Sequence, residues 1–385
     1  MFEKLILKLK IYRSLLFKGG SYADFFVQNM YKIYLNHNKI IHFRDGYPVF
    51  SLSTPALFSN ASSNFMARNL YKNITGRVNP NLMSLAITEK CNANCEHCSF
   101  KTEDIEEKKN HLSKEEYLKI IKDAQEIGVS VINIVGGEPL LNSDIFEIIK
   151  FIDKNLSTVI LFTNGYYLKD KAERLKKSGL DGVYISIDSS NEEEHNKFRK
   201  TNNLFSEAMK GIARAKEVGL TVGISCCMTP EAFKAGELEK IVDLAKKQGV
   251  HEVLVFGATP SGRYAQREDL MNDNAFVDKL IEFSNNYNEK LDYPGILIYG
   301  YTSSHRSIGC SGGINYFYIS PFGEICPCDF NHAVFGNIRE APLYETLEKM
   351  RKVFECTKYG GCRLKDKNLI DNQYISKNKF NKINI

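Results

Sequence analysis

No apolar run in the 385 residues approaches the roughly 20 needed for a membrane-spanning helix. Charge of one sign is also scarce: 51 Lys and Arg against 46 Asp and Glu leave a net +5, too mild to argue for a nucleic-acid partner. A secretory leader is not expected, because Lys4, Lys8, Lys10 and Arg13 interrupt the apolar start and no small-residue cleavage site follows. There is no internal repeat and no low-complexity segment. The most informative gap lies among the ten cysteines: three fall within residues 91–98, and then none occurs until Cys226. In a reducing, cytoplasmic setting, clustered thiols of this kind are read as ligands rather than disulfides.

Four stretches follow from the patterning. Residues 1–80 form a mixed α+β extension: a basic amphipathic start, a hairpin around Asp45-Gly46 in "KIIHFRDGYPVFSLS", and a helix near 63–74. Residues 81–290 alternate strands with helices. The predicted strands are 82–88, 129–135, 158–163, 182–188, 220–227 and 252–257, and the clearest helices are 113–128, ending at Gly128, and 236–249. Six such β-α units imply an α/β fold with a parallel sheet, either a partial barrel or an open sheet. Residues 291–370 break this rhythm with hairpin-like "NYFYISPFGEICPC" (315–328) and five cysteines, and 371–385 read as a polar tail.

"CNANCEHC" (91–98) spaces its thiols C-x3-C-x2-C directly after the first strand of the alternating region. Thiolates select soft metals, so the loop reads as an iron–sulfur or a zinc site. Zinc would need His97 or a distant fourth ligand; His97 directly precedes Cys98, which strains a shared tetrahedron, and structural zinc sites usually pair their ligands. An iron–sulfur cubane has four irons, so Cys91, Cys95 and Cys98 would leave one iron open to a small chelating ligand. "GGEP" (136–139), "TNG" (163–165), "SIDS" (186–189) and "EEHNKFRK" (193–200) follow in order, the first three at carboxyl ends of predicted strands, where parallel sheets gather ligands. Singly, each has an ordinary explanation: Gly136-Gly137 as a turn, Asp188 as a helix cap, Ser186 as a spacer.

Together these motifs, over about 200 residues, resemble the radical S-adenosylmethionine (SAM) enzymes. The resemblance implies a partial (β/α)6 TIM-like barrel with a [4Fe–4S] cluster on Cys91, Cys95 and Cys98, and His97 as the ring before the third cysteine. It implies SAM held by Gly136, Gly137, Glu138 and Pro139, by Thr163 and Asn164, by Ser186 and Asp188, and by Arg199. Glu138 would meet the methionine ammonium and Arg199 its carboxylate. The implied activity is reductive SAM cleavage to a 5′-deoxyadenosyl radical that removes hydrogen from a substrate. Gly262-Arg263, after the sixth strand, resembles the family's glycine-arginine and reads either as a SAM or substrate contact or as a solvated loop residue. Cys226 and Cys227 read as buried small hydrophobes.

The five later cysteines resemble the family's SPASM/twitch extension: a hairpin turn at Gly323, a cysteine five residues on, then "GNI" at 336–338. By that likeness Cys310, Cys328, Cys356 and Cys362 would hold one auxiliary [4Fe–4S] cluster, with Cys326 an extra thiol able to substitute for one of them. Five cysteines suit one auxiliary cluster better than two. Twitch extensions occur in enzymes acting on peptides, sugars and other small metabolites. The leading expectation is a peptide substrate, with a lipid-linked or small-metabolite substrate as the alternative, and a flavodoxin- or ferredoxin-type reductant. Residues 1–18 place Leu5, Leu9, Tyr12 and Leu16 on one helical face opposite several lysines. Such a helix either packs on its own domain or makes peripheral membrane contact.

Overall fold

A computed structural model describes residues 35–75, 79–100, 110–270, 274–304, 306–307, 309–355 and 362–365. The amphipathic start, Cys356 and the 371–385 tail lie outside the described residues.

Ten strands form one sheet in the order β12-β11-β10-β3-β4-β5-β6-β7-β8-β9, and β1 (His42–Arg44) and β2 (Tyr47–Val49) make a separate hairpin. Six central strands are those the periodicity predicts: β3 (Leu82–Ala86), β4 (Val131–Val135), β5 (Thr158–Thr163), β6 (Gly182–Ser186), β7 (Thr221–Met228) and β8 (Glu252–Gly257), each parallel to the next. They are Val- and Ile-rich because helices cover one face and the cavity side is enclosed as well. Local chemistry sets the helix ends. Ser113 and Glu116 close a capping box at the start of Lys114–Ile127, and Gly128, at φ +103°, ends it in the left-handed conformation.

The chain past residue 293 does not leave this rhythm as expected. β9 (Gly295–Ile298) adds a seventh parallel strand beside β8, and β10 (Tyr316–Ile319) pairs in parallel with β3 at the opposite edge. Only then does the sheet turn antiparallel, through β11 (Glu324–Cys326) and β12 (Gly336–Asn337), with Gly323 at φ +85° in the turn. Leu297 and Tyr299 from one edge line the same cavity as Tyr316 and Tyr318 from the other. The sheet therefore curls until its edges approach, as a partial barrel must.

Residues 35–58 stopper this barrel. Leu35, Phe50, Leu52 and Leu57 form one buried cluster with Ile160, Tyr184, Leu254 and Leu297 from β5, β6, β8 and β9. The Glu252 carboxylate accepts from Leu52 N (2.9 Å) and from the Tyr184 hydroxyl (2.5 Å), and Arg44 pairs with Asp181 at 3.5 Å. A separate, larger core fills the space between sheet and helices.

Candidate active site

A 540 Å³ cavity opens among the carboxyl ends of the parallel strands. Its walls include Cys91, Cys95, His97 and Cys98 from the loop after β3, and Gly136, Gly137, Thr163, Asn164, Ser186, Asp188 and Arg199 from the loops that follow. Five sequence motifs thus converge on one space.

The cysteine loop is held from three sides. Asn94 N and Glu96 N donate to the carbonyls of Arg199 and Phe198 (3.1 Å each), at the end of helix Glu192–Arg199. Asn164 Nδ2 donates to Asn92 Oδ1 at 2.8 Å. On the third side, Gly137 N and Glu138 N donate to the carbonyls of Thr88 and Lys90 at 2.8 and 2.7 Å. A Cβ at Gly136 would stand 2.4 Å from Thr88 O, and one at Gly137 only 2.3 Å from Lys90 O. The glycine pair is therefore required first by the close docking of two protein backbones, where the sequence suggests only a ligand's approach.

Glu138 and Pro139 stand behind the cavity wall. Glu138 is fully buried, and its carboxylate accepts from Thr163 Oγ1 (2.7 Å), Asn164 N (2.8 Å) and Leu140 N (3.1 Å). It fixes the Thr163–Gly165 turn that lines the cavity. Arg199 also has a partner within the protein: Nε and Nη2 lie 2.7 and 2.6 Å from Asp188 Oδ2, while Nη1 lies 3.8 Å from Cys95 Sγ. Asp188 Oδ1 accepts from Cys227 N at 2.8 Å. Burial pushes the Asp188 carboxyl up, but Arg199, followed by His97 and His195, reverses this and holds it at about 2. Burial lowers His97 to about 4, so its ring is neutral; it stacks on Phe198 with centroids 4.7 Å apart.

Arg263 fits neither sequence reading. Its backbone N–H donates to Cys98 O (3.1 Å), and its guanidinium donates to the carbonyls of Asn94 (2.8 Å) and Cys95 (2.6 Å) and to Asn94 Oδ1. At φ +55°, Gly262 passes so close that a Cβ would meet Cys98 O at 2.2 Å. The pair is a clamp on the cysteine loop. Cys226 is buried as expected, whereas Cys227 is half-buried; both border the cavity.

The thiol donors suit an iron–sulfur cluster. Burial raises the Cys91 thiol to about 11, opposed by the Ala93 amide and reinforced by Glu138, Cys95 and Cys98. Ligation there must displace protons, which a soft metal centre does. Cys328, next in sequence to the cavity residue Asp329, is raised to about 12 by burial and then by Cys310 and Cys362. Tyr299, a cavity residue, is raised by burial and by the charges of Cys328, Asp329, Cys310 and Cys362, so the second thiol group adjoins the cavity. The extra thiol, Cys326, is fully buried in an apolar cluster with Ala86, Val135, Tyr318 and Val334.

Sequence reasoning passed over Asp329. It lines the cavity beside Cys328, and its Oδ2 accepts from the Tyr316 hydroxyl and lies 3.4 Å from Ser84 Oγ. Burial raises its carboxyl to about 7 against the opposing Ser84 hydroxyl. An aspartate directly after a candidate ligand cysteine was the available signal.

Similarity to known proteins follows the same map. The family described as the Radical SAM superfamily matches residues 85–231, and the SPASM iron–sulfur cluster-binding domain matches 310–368. An AdoMet-dependent heme synthase of Methanosarcina barkeri is 27% identical over 299 residues, 71% of this chain and 84% of that one. A probable GTP 3′,8-cyclase of Methanococcus maripaludis is 44% identical over 138 residues, 36% of this chain and 46% of that one. SuiB of Streptococcus suis, solved with S-adenosylmethionine, shares the fold at a TM-score of 0.61 and 17% identity, over 82% of this chain and 80% of that one. With the cysteine loop, the glycine pair and the hairpin thiols all inside the matched segments, the chain is a radical SAM enzyme carrying a SPASM domain, and its cofactors are a [4Fe–4S] cluster, SAM and auxiliary iron–sulfur ligation.

Proposed function

We propose that this enzyme removes a hydrogen atom from a peptide substrate lodged between its two thiol groups. The observation that carries the proposal is the single cavity bordered by Cys91, Cys95 and Cys98 on one side and by Tyr299 and Asp329, neighbours of the Cys310, Cys328 and Cys362 set, on the other. When bound, the reduced cluster and SAM supply a 5′-deoxyadenosyl radical able to take hydrogen from carbon, chemistry that belongs to the cofactors. The protein's part is positioning. Arg199, Asp188 and the Thr163–Gly165 turn shape the SAM side, Arg263 steadies the thiol loop, and Phe162, Phe256 and Phe330 keep water from the substrate side. Cys310, Cys328 and Cys362, with Cys356 from the sequence, would complete one auxiliary cluster.

A peptide substrate is supported by the fold shared with SuiB, which is also solved with its precursor peptide SuiA. The heme synthase likeness, which spans most of both chains, supports a tetrapyrrole as the second reading. A lipid-linked substrate rests only on residues 1–18. Among the described residues, no helix is long and apolar enough to cross a membrane.

The test is anaerobic reconstitution of the full chain, followed by reduction with SAM present. A brown protein with about eight irons, from two four-iron clusters, that releases 5′-deoxyadenosine is expected. Short peptides encoded beside its gene should then change mass on coexpression. A colourless zinc-loaded protein would refute the cluster assignment, and unchanged peptides would refute the substrate class.

A further inference from the structure

The cavity does not stop at the cysteine-loop end of the barrel. Ser53, from the segment that stoppers the opposite end, lines it together with Cys91, Cys95 and Cys98. That segment lies against the amino ends of the strands. Leu52 N donates to Glu252, the first residue of β8, and a Cβ on Gly182, the first of β6, would stand 3.0 Å from Leu52 Cδ2. Leu82, which opens β3, also borders the cavity, and Ala86 ends that strand on the cysteine-loop side. Four residue steps of roughly 3.3 Å put about 13 Å of strand between these two levels. The space thus runs the barrel from end to end, with Ser53 at its floor.

The lower walls are mostly apolar. Leu82, Phe162, Leu254 and Leu297 supply them, and Ser53 Oγ lies 3.4 Å from the Tyr184 hydroxyl. One amide interrupts this lining. Asn133, at the middle of β4, borders the cavity, while its neighbours Ile132 and Ile134 are buried in the core between sheet and helices. Its register partner Ser84 is engaged by the Tyr316 hydroxyl at 2.8 Å, but among the described residues none hydrogen-bonds the Asn133 side chain. A side-chain amide offers two N–H donors and a carbonyl acceptor. An amide or hydroxyl on a ligand can engage them, whereas a wholly apolar ligand would bury them unpaired, at a cost.

We infer that the lower barrel is a binding compartment for an apolar arm of the substrate, which extends toward Ser53 and carries an amide or hydroxyl at the level of Asn133. Asn133 selects the polar group, and Ser53 limits the reach of the arm. The inference rests on the proposed function only in placing the substrate in this cavity, not in its being a peptide.

Linear primary alkanamides, from propanamide to decanamide, are titrated by anaerobic calorimetry into the reconstituted, SAM-loaded, unreduced full chain. Affinity should rise about fourfold per added methylene and then stop rising within the series, where the chain meets Ser53. Ser53→Phe, which raises the floor, should move that limit to a shorter chain. Asn133→Leu, at unchanged iron content, should shift the ratio of octanamide to 2-nonanone binding by about fivefold toward the ketone, in which a methyl replaces the amide nitrogen. Affinity that climbs to decanamide without a limit, no binding by any member at about 10 mM, or a ratio in Asn133→Leu within about twofold of the parent's would each overturn the inference. So would a limit left in place by Ser53→Phe. If that variant fails to load iron, the parent's own length profile and the Asn133 ratio still decide. Failure of the proposed function would show elsewhere, as missing 5′-deoxyadenosine or unmodified peptide, with the length profile intact.

Discussion

Arg199 ties the end of the Gly182–Ser186 strand to the cysteine loop: its guanidinium grips Asp188 Oδ2 at 2.6 and 2.7 Å and reaches to 3.8 Å from the Cys95 sulfur. Both side chains are buried, so neither charge has water to fall back on. Arg199→Ala should therefore strand Asp188 and destabilise the protein by roughly 3–5 kcal/mol, seen as a lower melting temperature. Arg199→Lys should recover only part of this, because an ammonium lacks the guanidinium's fork. Full recovery by lysine would show that charge alone matters here.

Arg263 touches three acceptors of the cysteine loop but does not line the cavity. Its removal should speed iron loss more than it lowers stability. For Arg263→Ala, we expect chelator-extracted iron to leave the cysteine-loop cluster several-fold faster, with a stability change of about 1 kcal/mol for each lost hydrogen bond. Equal extraction rates for variant and parent would dismiss the clamp.

Cys326 and Cys328 lie two residues apart and in different surroundings. Cys328 shares its field with Cys310 and Cys362, whereas Cys326 packs among Ala86, Val135, Tyr318 and Val334. Cys328→Ala should cost about four irons per chain while leaving the SAM-side cluster in place. Cys326→Ala should keep the full iron complement and lose roughly 1 kcal/mol or more of packing. Iron loss from the Cys326 variant would restore it as a ligand.

Glu252 predicts a pH dependence. Burial raises its carboxyl to about 7, against the opposing Tyr184 hydroxyl and Leu52 amide. The folded state therefore holds its proton more tightly than the unfolded chain, whose glutamate titrates near about 4.3. The favourable neutral form is fully present below that lower value, and its contribution is lost as pH rises to about 7. Relative to Glu252→Gln, the parent should lose on the order of a few kcal/mol between these limits and no more above them. Melting temperatures of both proteins across this range test the sign; a difference that grows in the parent's favour with pH would reverse it.

What the sequence disclosed, and what it withheld, divides along physical lines. Strands such as Thr158–Thr163 and Glu252–Gly257 were legible to the residue because continuous apolar runs end at sharp polar signals. The helix over Lys114–Ile127 was legible because its ends lie in Ser113, Glu116 and Gly128. The pairing of Tyr316–Ile319 with Leu82–Ala86 was not, since it joins segments more than 200 residues apart and no local pattern encodes it. Site chemistry divides in the same way. Thiol spacing revealed the cofactor loop, but which atoms Glu138 and Arg263 engage depends on loops meeting in three dimensions.

The stopper formed by residues 35–58 also limits how this enzyme can be dissected. Ile160, Tyr184, Leu254 and Leu297 face that segment rather than one another alone, so a fragment begun at the first strand of the large sheet would open an oily mouth to solvent. Minimal versions meant for expression or redesign must retain this preceding polypeptide, even though it carries none of the cofactor-binding sulfur.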